Sequence, residues 1–439
     1  MAKNHFVSGH RLSRTTLIAD LRLPAPGPRP ATLASLIITS MRTLASRMAV
    51  MTGEGALAVF AHARKLESQG RSIIHLELGE PDFHPASDVV EAAKQAIDAG
   101  KDRYCASAGL LPLRNALSVY LRETRNISVR PEDIVLAPGC KIALFMALMA
   151  LVEAGDEVLF PDPGFPGYPS ITRGLGGIPV PYRLEERNRF QPDIQEVRAK
   201  ITPHTKILIT NSPANPTGTV YTDEVQRQLA LLAVEHDLTV LSDEIYARVI
   251  YSDRYKSMLS YPGMKERTVI IDGFSKSFGM TGWRLGYAVA PPELVSALEL
   301  IAVNTYTCVA EFTQHAAIVA LQDRQRATEK MVKEFARRRQ QFIAELNRIP
   351  GFHCIPPEGA FYAWVNISDT GLTAEELCRR MLEEAGVAAI PGRAFGDAGQ
   401  EYVRFSFASS SELLQEAVRR IQSLAHSWAG EKQAVEQRA

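Results

Sequence analysis

The sequence predicts an α/β protein: a mostly parallel sheet covered by helices, with a smaller α+β unit beside it. Two observations predict it. Short apolar runs alternate with helical stretches from Met41 onward, and after Glu311 the texture changes to a long charged helical stretch followed by short strands. The 439 residues, 46% of them hydrophobic, suffice for a sizeable core.

Residues 1–40 stand apart. They carry Lys3, Arg11, Arg14, Arg22 and Arg29 against the single acid Asp20, and Pro24-Ala-Pro-Gly-Pro-Arg-Pro30 interrupts them. A basic, acid-poor stretch is presequence-like, but the prolines oppose an amphipathic helix. The expectation is a disordered extension dispensable for catalysis, or a start assigned too early with Met41 the true one. Strand candidates then fall at 134–136, 157–160, 206–210, 239–241, 268–271 and 285–289, with helices over 141–152 and 223–236. The charged helical stretch runs from 311 to 348, and short strands follow near 361–365, 387–390 and 402–405.

Composition excludes several classes. Lys+Arg 49 balance Asp+Glu 49, which removes the electrostatic case for a nucleic-acid-wrapping protein. The longest apolar run, 142–152, is far short of the roughly 18 residues a spanning helix needs, so no membrane partner is expected. Five scattered cysteines without a C-x-x-C pair point to a reducing, cytoplasmic location. The ten histidines show no ligand spacing, so no metal is expected. Near-misses to a dinucleotide fingerprint (Gly174-Leu-Gly176), a nucleophile elbow (Gly273 to Ser277) and a phosphate loop (Gly100-Lys101) each lack a required residue.

The informative segment is Asp272-Gly-Phe-Ser-Lys-Ser-Phe-Gly-Met-Thr-Gly-Trp-Arg-Leu-Gly-Tyr287. A lysine after a strand, flanked by serines and followed by an arginine, suits an aldehyde cofactor bearing a phosphate: the amine forms a Schiff base while hydroxyl and guanidinium hold the phosphate. Alone, the run also reads as a solvated turn. It resembles, however, the lysine motif of the fold-type I class I/II aminotransferases, especially the bacterial aspartate-aminotransferase-like branch. Gly79-Glu-Pro-Asp-Phe83, Tyr104 with Gly109 and Leu113-Arg114, Asn211-Ser-Pro-Ala-Asn-Pro-Thr-Gly218, Ser242-Asp-Glu-Ile-Tyr246, Pro357-Glu-Gly-Ala-Phe-Tyr362 and Arg404-Phe-Ser406 match that family in order.

The resemblance implies pyridoxal 5'-phosphate as cofactor and transamination between an L-amino acid and a 2-oxo acid. It implies domains at 41–86 and 321–430 (small) and 87–320 (large, cofactor-binding), with 431–439 a frayed tail. Lys276 is then the cofactor's lysine and the proton shuttle, and Asp243 the carboxylate beside the ring nitrogen. Tyr246 and Asn215 face the phenolic oxygen. Gly139, Cys140, Ser275, Arg284 and, from a neighbouring subunit, Tyr104 serve the phosphate, which implies a homodimer. Phe165 stands where many relatives stack a tryptophan on the ring; it also suits an ordinary core aromatic. Arg404 matches the arginine that forks onto the substrate α-carboxylate, with Gly79 and Asn215 beside it.

Lys141 matches the lysine that acidic-substrate members place near the distal carboxylate, although it also suits a helix start or the phosphate. Met51-Thr-Gly-Glu-Gly-Ala56 lacks the hydroxyls of aspartate-specific relatives, and Glu54 there repels an anion. Glutamate/2-oxoglutarate is the expected pair, with the partner amino acid open. A lyase or eliminase on the same scaffold is the alternative enzyme. An aminotransferase-like DNA-binding regulator is disfavoured, because residues 1–40 cannot form a winged helix.

Overall fold

The computed structural model describes residues 44–252, 255–322 and 326–436, with side chains described through residue 425. The expectations for residues 1–40 lie outside the described residues. All elements below belong to the compact unit that begins at Arg47.

The strands, in chain order, are β1 Ile74–His75, β2 Ile134–Ala137, β3 Glu157–Asp162, β4 Ile178–Arg183, β5 Thr205–Asn211, β6 Thr239–Asp243, β7 Thr268–Gly273, β8 Gly286–Val289, β9 His353–Cys354, β10 Tyr362–Asn366, β11 Val387–Ala388, β12 Ile390–Pro391 and β13 Tyr402–Ser406. Seven form one sheet in the order β2-β8-β7-β6-β5-β3-β4. Only β8 runs against its neighbours β2 and β7; the pairs from β7 through β4 are parallel. The sheet is therefore mostly parallel, as the sequence predicts.

Both faces are covered, and the strand alternation shows how. Val135, Ile207, Ile209, Leu241, Val269 and Ile271 pack against the helix Cys140–Leu151, whose almost wholly apolar sequence suits a buried position. Their alternates Ile134, Leu136 and Ile270 pack against the helices Ser87–Asp98, Leu111–Arg125 and Glu311–Gln322. Leu208 and Val240 continue that second face under the helix Asp223–Glu235. That helix starts where Thr222 accepts the Val225 N–H and Asp223 and Glu224 lie in the first turn.

The strand β4 is absent from the sequence expectations because Pro179 and Pro181 argue against a strand. At a sheet edge a proline without an N–H is tolerated, and β4 is the edge. The helical stretch expected over 311–348 is two helices, Glu311–Gln322 and Arg326–Leu346. A single strand expected at 387–390 is also two: β11 pairs in parallel with β1, and β12 pairs with β13. The chain changes sheets at Ala389.

Strands β12-β13-β10-β9 make a second, antiparallel sheet. Its core of Phe342, Phe361, Phe405 and Phe407 also takes in Ile245, Tyr246 and Val249, just past the end of β6. The final helix Ser411–Glu436 continues beyond 431, where the sequence reading expected a frayed tail; residues 437–439 lie outside the described residues.

Candidate active site

In an open α/β sheet the ends of the parallel strands face a crevice, and ligand-binding residues collect on the loops that leave them. Here Asn211 ends β5 in register with Asp243 ending β6. Gly273 ends β7 opposite Gly286, which begins β8 and also faces Ala137 at the end of β2. The segments leaving these ends, and the one leaving β3, carry Cys140, Lys141, Phe165, Asn215, Tyr246, Ser275, Lys276 and Arg284. With Gly79 and Arg404 they line one cavity of about 350 Å³. The sequence thus predicts residues that the fold brings together, with two exceptions: Tyr104 is 86% exposed and does not line this cavity, and Gly139 lies against the Arg284 guanidinium without lining it.

Asp243 accepts the Tyr168 hydroxyl at 2.7 Å and the Ile245 N–H at 3.3 Å. Burial pushes its carboxyl up to about 6; those two hydrogen bonds pull the other way, and the nearby Asp272 and Glu244 charges push it further. Tyr168 is held edge-on to Phe165, with ring centroids 5.5 Å apart.

Lys276 sits on the short helix Phe274–Ser277, directly after β7. Its Nζ donates to the Gly79 carbonyl. Burial lowers its amine to about 8, with Arg404 and Arg284 adding to the effect against the pull of Cys140 and Glu80. A neutral amine is therefore accessible near neutral pH.

Gly139 caps the helix Cys140–Leu151 at φ +92°, in the region that favours glycine. A Cβ there would come within 2.3 Å of Arg284 Nη2, so only glycine lets the guanidinium lie against this helix start. Arg284 is itself left-handed at φ +53° and donates to the Thr281 and Pro138 carbonyls at 2.8 and 3.3 Å. Cys140 at this helix start, Ser275 and Arg284 line the cavity together, and a helix start offers backbone N–H groups to an anion. Burial drives the Cys140 thiol well above its ordinary range, so it offers no thiolate here.

Arg404, which also lines the cavity, lies on β13 in register with Trp364 and Ile390. It donates to the Glu77 carbonyl at 2.6 Å and to Asn215 Oδ1 at 3.0 Å, and it lies against the Tyr362 and Phe395 rings. Its Nε is buried without a hydrogen-bond partner. Burial lowers its hold on its proton. Tyr246 shares a 2.7 Å hydrogen bond with the Tyr362 hydroxyl. A Cβ at Gly79 would meet that same Tyr362 oxygen at 2.0 Å, so Gly79 clears its place.

Lys141 forms an ion pair with Glu54, and its Nζ lies 5.7 Å from the Phe165 ring centre. The sequence motifs assign no role to Tyr168 or Tyr362; only the fold shows that their hydroxyls meet Asp243 and Tyr246. Among the described residues no cluster of His, Cys, Asp or Glu suits a metal ion, and no helix is long and apolar enough to cross a membrane.

The profile of the family "Aminotransferase class I and II" matches residues 71–421. The chain belongs to this family. The aminotransferase is 42% identical over 358 residues to an aspartate aminotransferase of Pyrococcus abyssi, covering 81% of this chain and 92% of that one. It is 39% identical over 356 residues to the aromatic-amino-acid aminotransferase 2 of Thermococcus litoralis, covering 80% and 91%. The solved aspartate aminotransferase of Thermus thermophilus with maleate superposes at a TM-score of 0.84 with 38% identity, over 87% of this chain and all of that one. Transamination of amino and oxo acids is thus the chemistry of this enzyme.

Proposed function

We propose that this aminotransferase works with pyridoxal 5'-phosphate, and that glutamate and 2-oxoglutarate form one of its substrate pairs. The observation that carries the cofactor is the joint geometry of Lys276, Asp243 and the glycine-cleared helix start at Gly139: a half-buried amine, a half-buried carboxylate and an anion cradle at one cavity. The residues fit such a group. When bound, it supplies an electron sink that stabilises negative charge developing at the substrate Cα.

The chain's own residues do the rest. Lys276, with an amine lowered to about 8, holds the cofactor and then moves the proton at the substrate Cα. Asp243 holds a proton on the ring nitrogen, and Tyr168 keeps that carboxylate charged. Tyr246 and Asn215 would serve the phenolic oxygen of the bound group, and Phe165 would offer its ring a stacking face. Ser275, Arg284 and the Cys140 N–H hold the phosphate. Arg404 orients the α-carboxylate, its fork already aligned by Glu77 and Asn215. Lys141 meets the distal carboxylate of an acidic substrate.

Two assemblies belong to the same reading. Residues 87–320 form a cofactor domain, and 41–86 with 321–430 a small domain; the pairing of β1 with β11 supports joining the two chain ends. The active unit is a homodimer in which exposed Tyr104 serves the neighbour's phosphate.

The test is a half-reaction. Glutamate alone, added to the purified holoenzyme, is expected to release one 2-oxoglutarate per site and leave the cofactor in its amine form, and Lys276→Ala is expected to abolish this. Ammonia release with the cofactor spectrum restored would assign a lyase instead.

A further inference from the structure

Glu54 and Lys141 form an ion pair in the lining of the cavity. The pair is partly exposed, with Lys141 50% and Glu54 28% accessible. Both side chains line the cavity that Lys276 and Arg404 line. The Glu54 charge is felt at Arg404, whose proton it helps retain, and at Tyr362. A carboxylate of the protein itself thus lies beside Lys141 and within the field of Arg404.

The backbone carrying Glu54 is pinned on both sides. The Thr52 N–H donates to Ser170 Oγ at 2.9 Å, and Ser170 Oγ returns a hydrogen bond to the Thr52 carbonyl at 3.1 Å. Met51 presses on Gly174, where a Cβ would meet its sulfur at 2.9 Å. On the other side Gly55 begins the helix Gly55–Ser68, and a Cβ there would lie 2.8 Å from Ala394. The main chain is fixed while the Glu54 side chain keeps its rotatable bonds.

We infer that Glu54 is a specificity switch: its carboxylate occupies Lys141 when a neutral amino acid is bound and yields Lys141 to the side-chain carboxylate of an acidic one. This rests on the reading above that Lys141 meets a distal carboxylate. A transaminase accepts two different substrates in turn at one site, and an uncompensated ammonium beside an apolar side chain disfavours the neutral one. An internal counter-ion solves that. A partly exposed ion pair is weak, so exchange for a substrate carboxylate is easy. The lysine, a compact charge on a flexible stem, meets either carboxylate without matching its plane.

The experiment measures binding to the holoenzyme of two unreactive acids, succinate and butyrate, in wild type, Glu54→Gln, Lys141→Gln and the double variant. Glu54→Gln is expected to tighten succinate by about fivefold, the range of a partly exposed pair, and to leave butyrate unchanged or weaker. In the Lys141→Gln background the same change is expected to do nothing. Equal shifts on both acids, no shift, or a shift that persists without Lys141 would overturn the inference. Glu54→Ser serves if the glutamine variant misfolds. Glutamate turnover is assayed separately: its absence alongside tightened succinate would remove the glutamate assignment and leave the switch standing.

Discussion

The Tyr168 hydroxyl donates to Asp243 Oδ2 across 2.7 Å, from a ring set edge-on to Phe165. One aromatic therefore joins the wall of the cavity to the carboxylate at the end of β6. Burial pushes Asp243 up to about 6, and the Tyr168 bond acts against that by favouring the charged form. A hydrogen bond to a charged acceptor contributes roughly 1.5–3 kcal/mol, which corresponds to about one pKa unit or more. Tyr168→Phe is expected to raise the Asp243 pKa, so activity that needs the carboxylate is lost earlier as pH falls. The acid limb of kcat/KM should move up by about one unit while the alkaline limb stays. A superimposable profile would refute the coupling.

Lys276 makes the complementary prediction. Its amine, lowered to about 8 by burial, is charged below that pH and neutral above it. In the cofactor-free protein, trace acylation of Lys276 should rise through pH 8, whereas solvent lysines rise near roughly 10.4. Peptide mass spectrometry resolves the two populations. A Lys276 that titrates with the others would show that burial leaves the amine unchanged, and the proton-shuttle role would then need the bound cofactor to lower it.

Much of this site is legible in the sequence because its residues stand in segments that resemble the family's motifs. Asp243 closes β6 and Lys276 follows β7, but a strand end alone does not single out either residue; the match of Ser242-Asp-Glu-Ile-Tyr246 and of the Asp272–Tyr287 run to the family does. What escaped was contact between distant segments. Tyr168 and Asp243 are 75 residues apart, Tyr246 and Tyr362 are 116 apart, and Glu54 and Lys141 are 87 apart. Periodicity within a segment carries no information about such pairs. The Glu54 case shows the limit: the sequence suggested an anion-repelling residue near the substrate, but only the fold shows that its charge is already matched by Lys141. The edge strand β4 and the sheet change at Ala389 escaped for a different reason, since both depend on which neighbour a strand finds.

Beneath the site lies a buried ionic network. Arg125 donates to Glu244 at 2.7 Å and also pairs with Asp272, which accepts the Tyr287 hydroxyl at 2.7 Å. Glu244 further accepts from Tyr255 and Ser257 at 2.6 and 2.8 Å. Glu244 adjoins Asp243, and Asp272 precedes the Lys276 turn, so the network ties β6 to β7 under the catalytic groups. Arg125→Met leaves two buried carboxylates without their cation and is expected to cost about 3–5 kcal/mol in urea unfolding. Tyr287→Phe leaves Arg125 on Asp272 and is expected to cost only about 1–2 kcal/mol. Similar losses for the two would mean that the ion pairs are not what holds the strands.

The last prediction concerns Tyr104, whose ring is almost fully exposed on the loop before the helix Leu111–Arg125 and contributes nothing to its own cavity. An exposed tyrosine is ordinary alone, but in the homodimer proposed above Tyr104 serves the phosphate site of the second subunit. In a two-fold dimer such a contribution is reciprocal, because the same patch acts on both sides. Chains carrying Lys276→Ala and chains carrying Tyr104→Ala should each be impaired alone. Refolded together, they form a mixed dimer in which one site carries both lesions and the other carries neither, so about one quarter of all sites regain full activity. The mixture should then exceed the mean of the two pure variants, and a cross-linker or sedimentation run should find dimers. If Tyr104 served its own site, each mixed dimer would carry one lesion per site and the mixture would equal that mean. A fully active monomer would remove the shared site altogether.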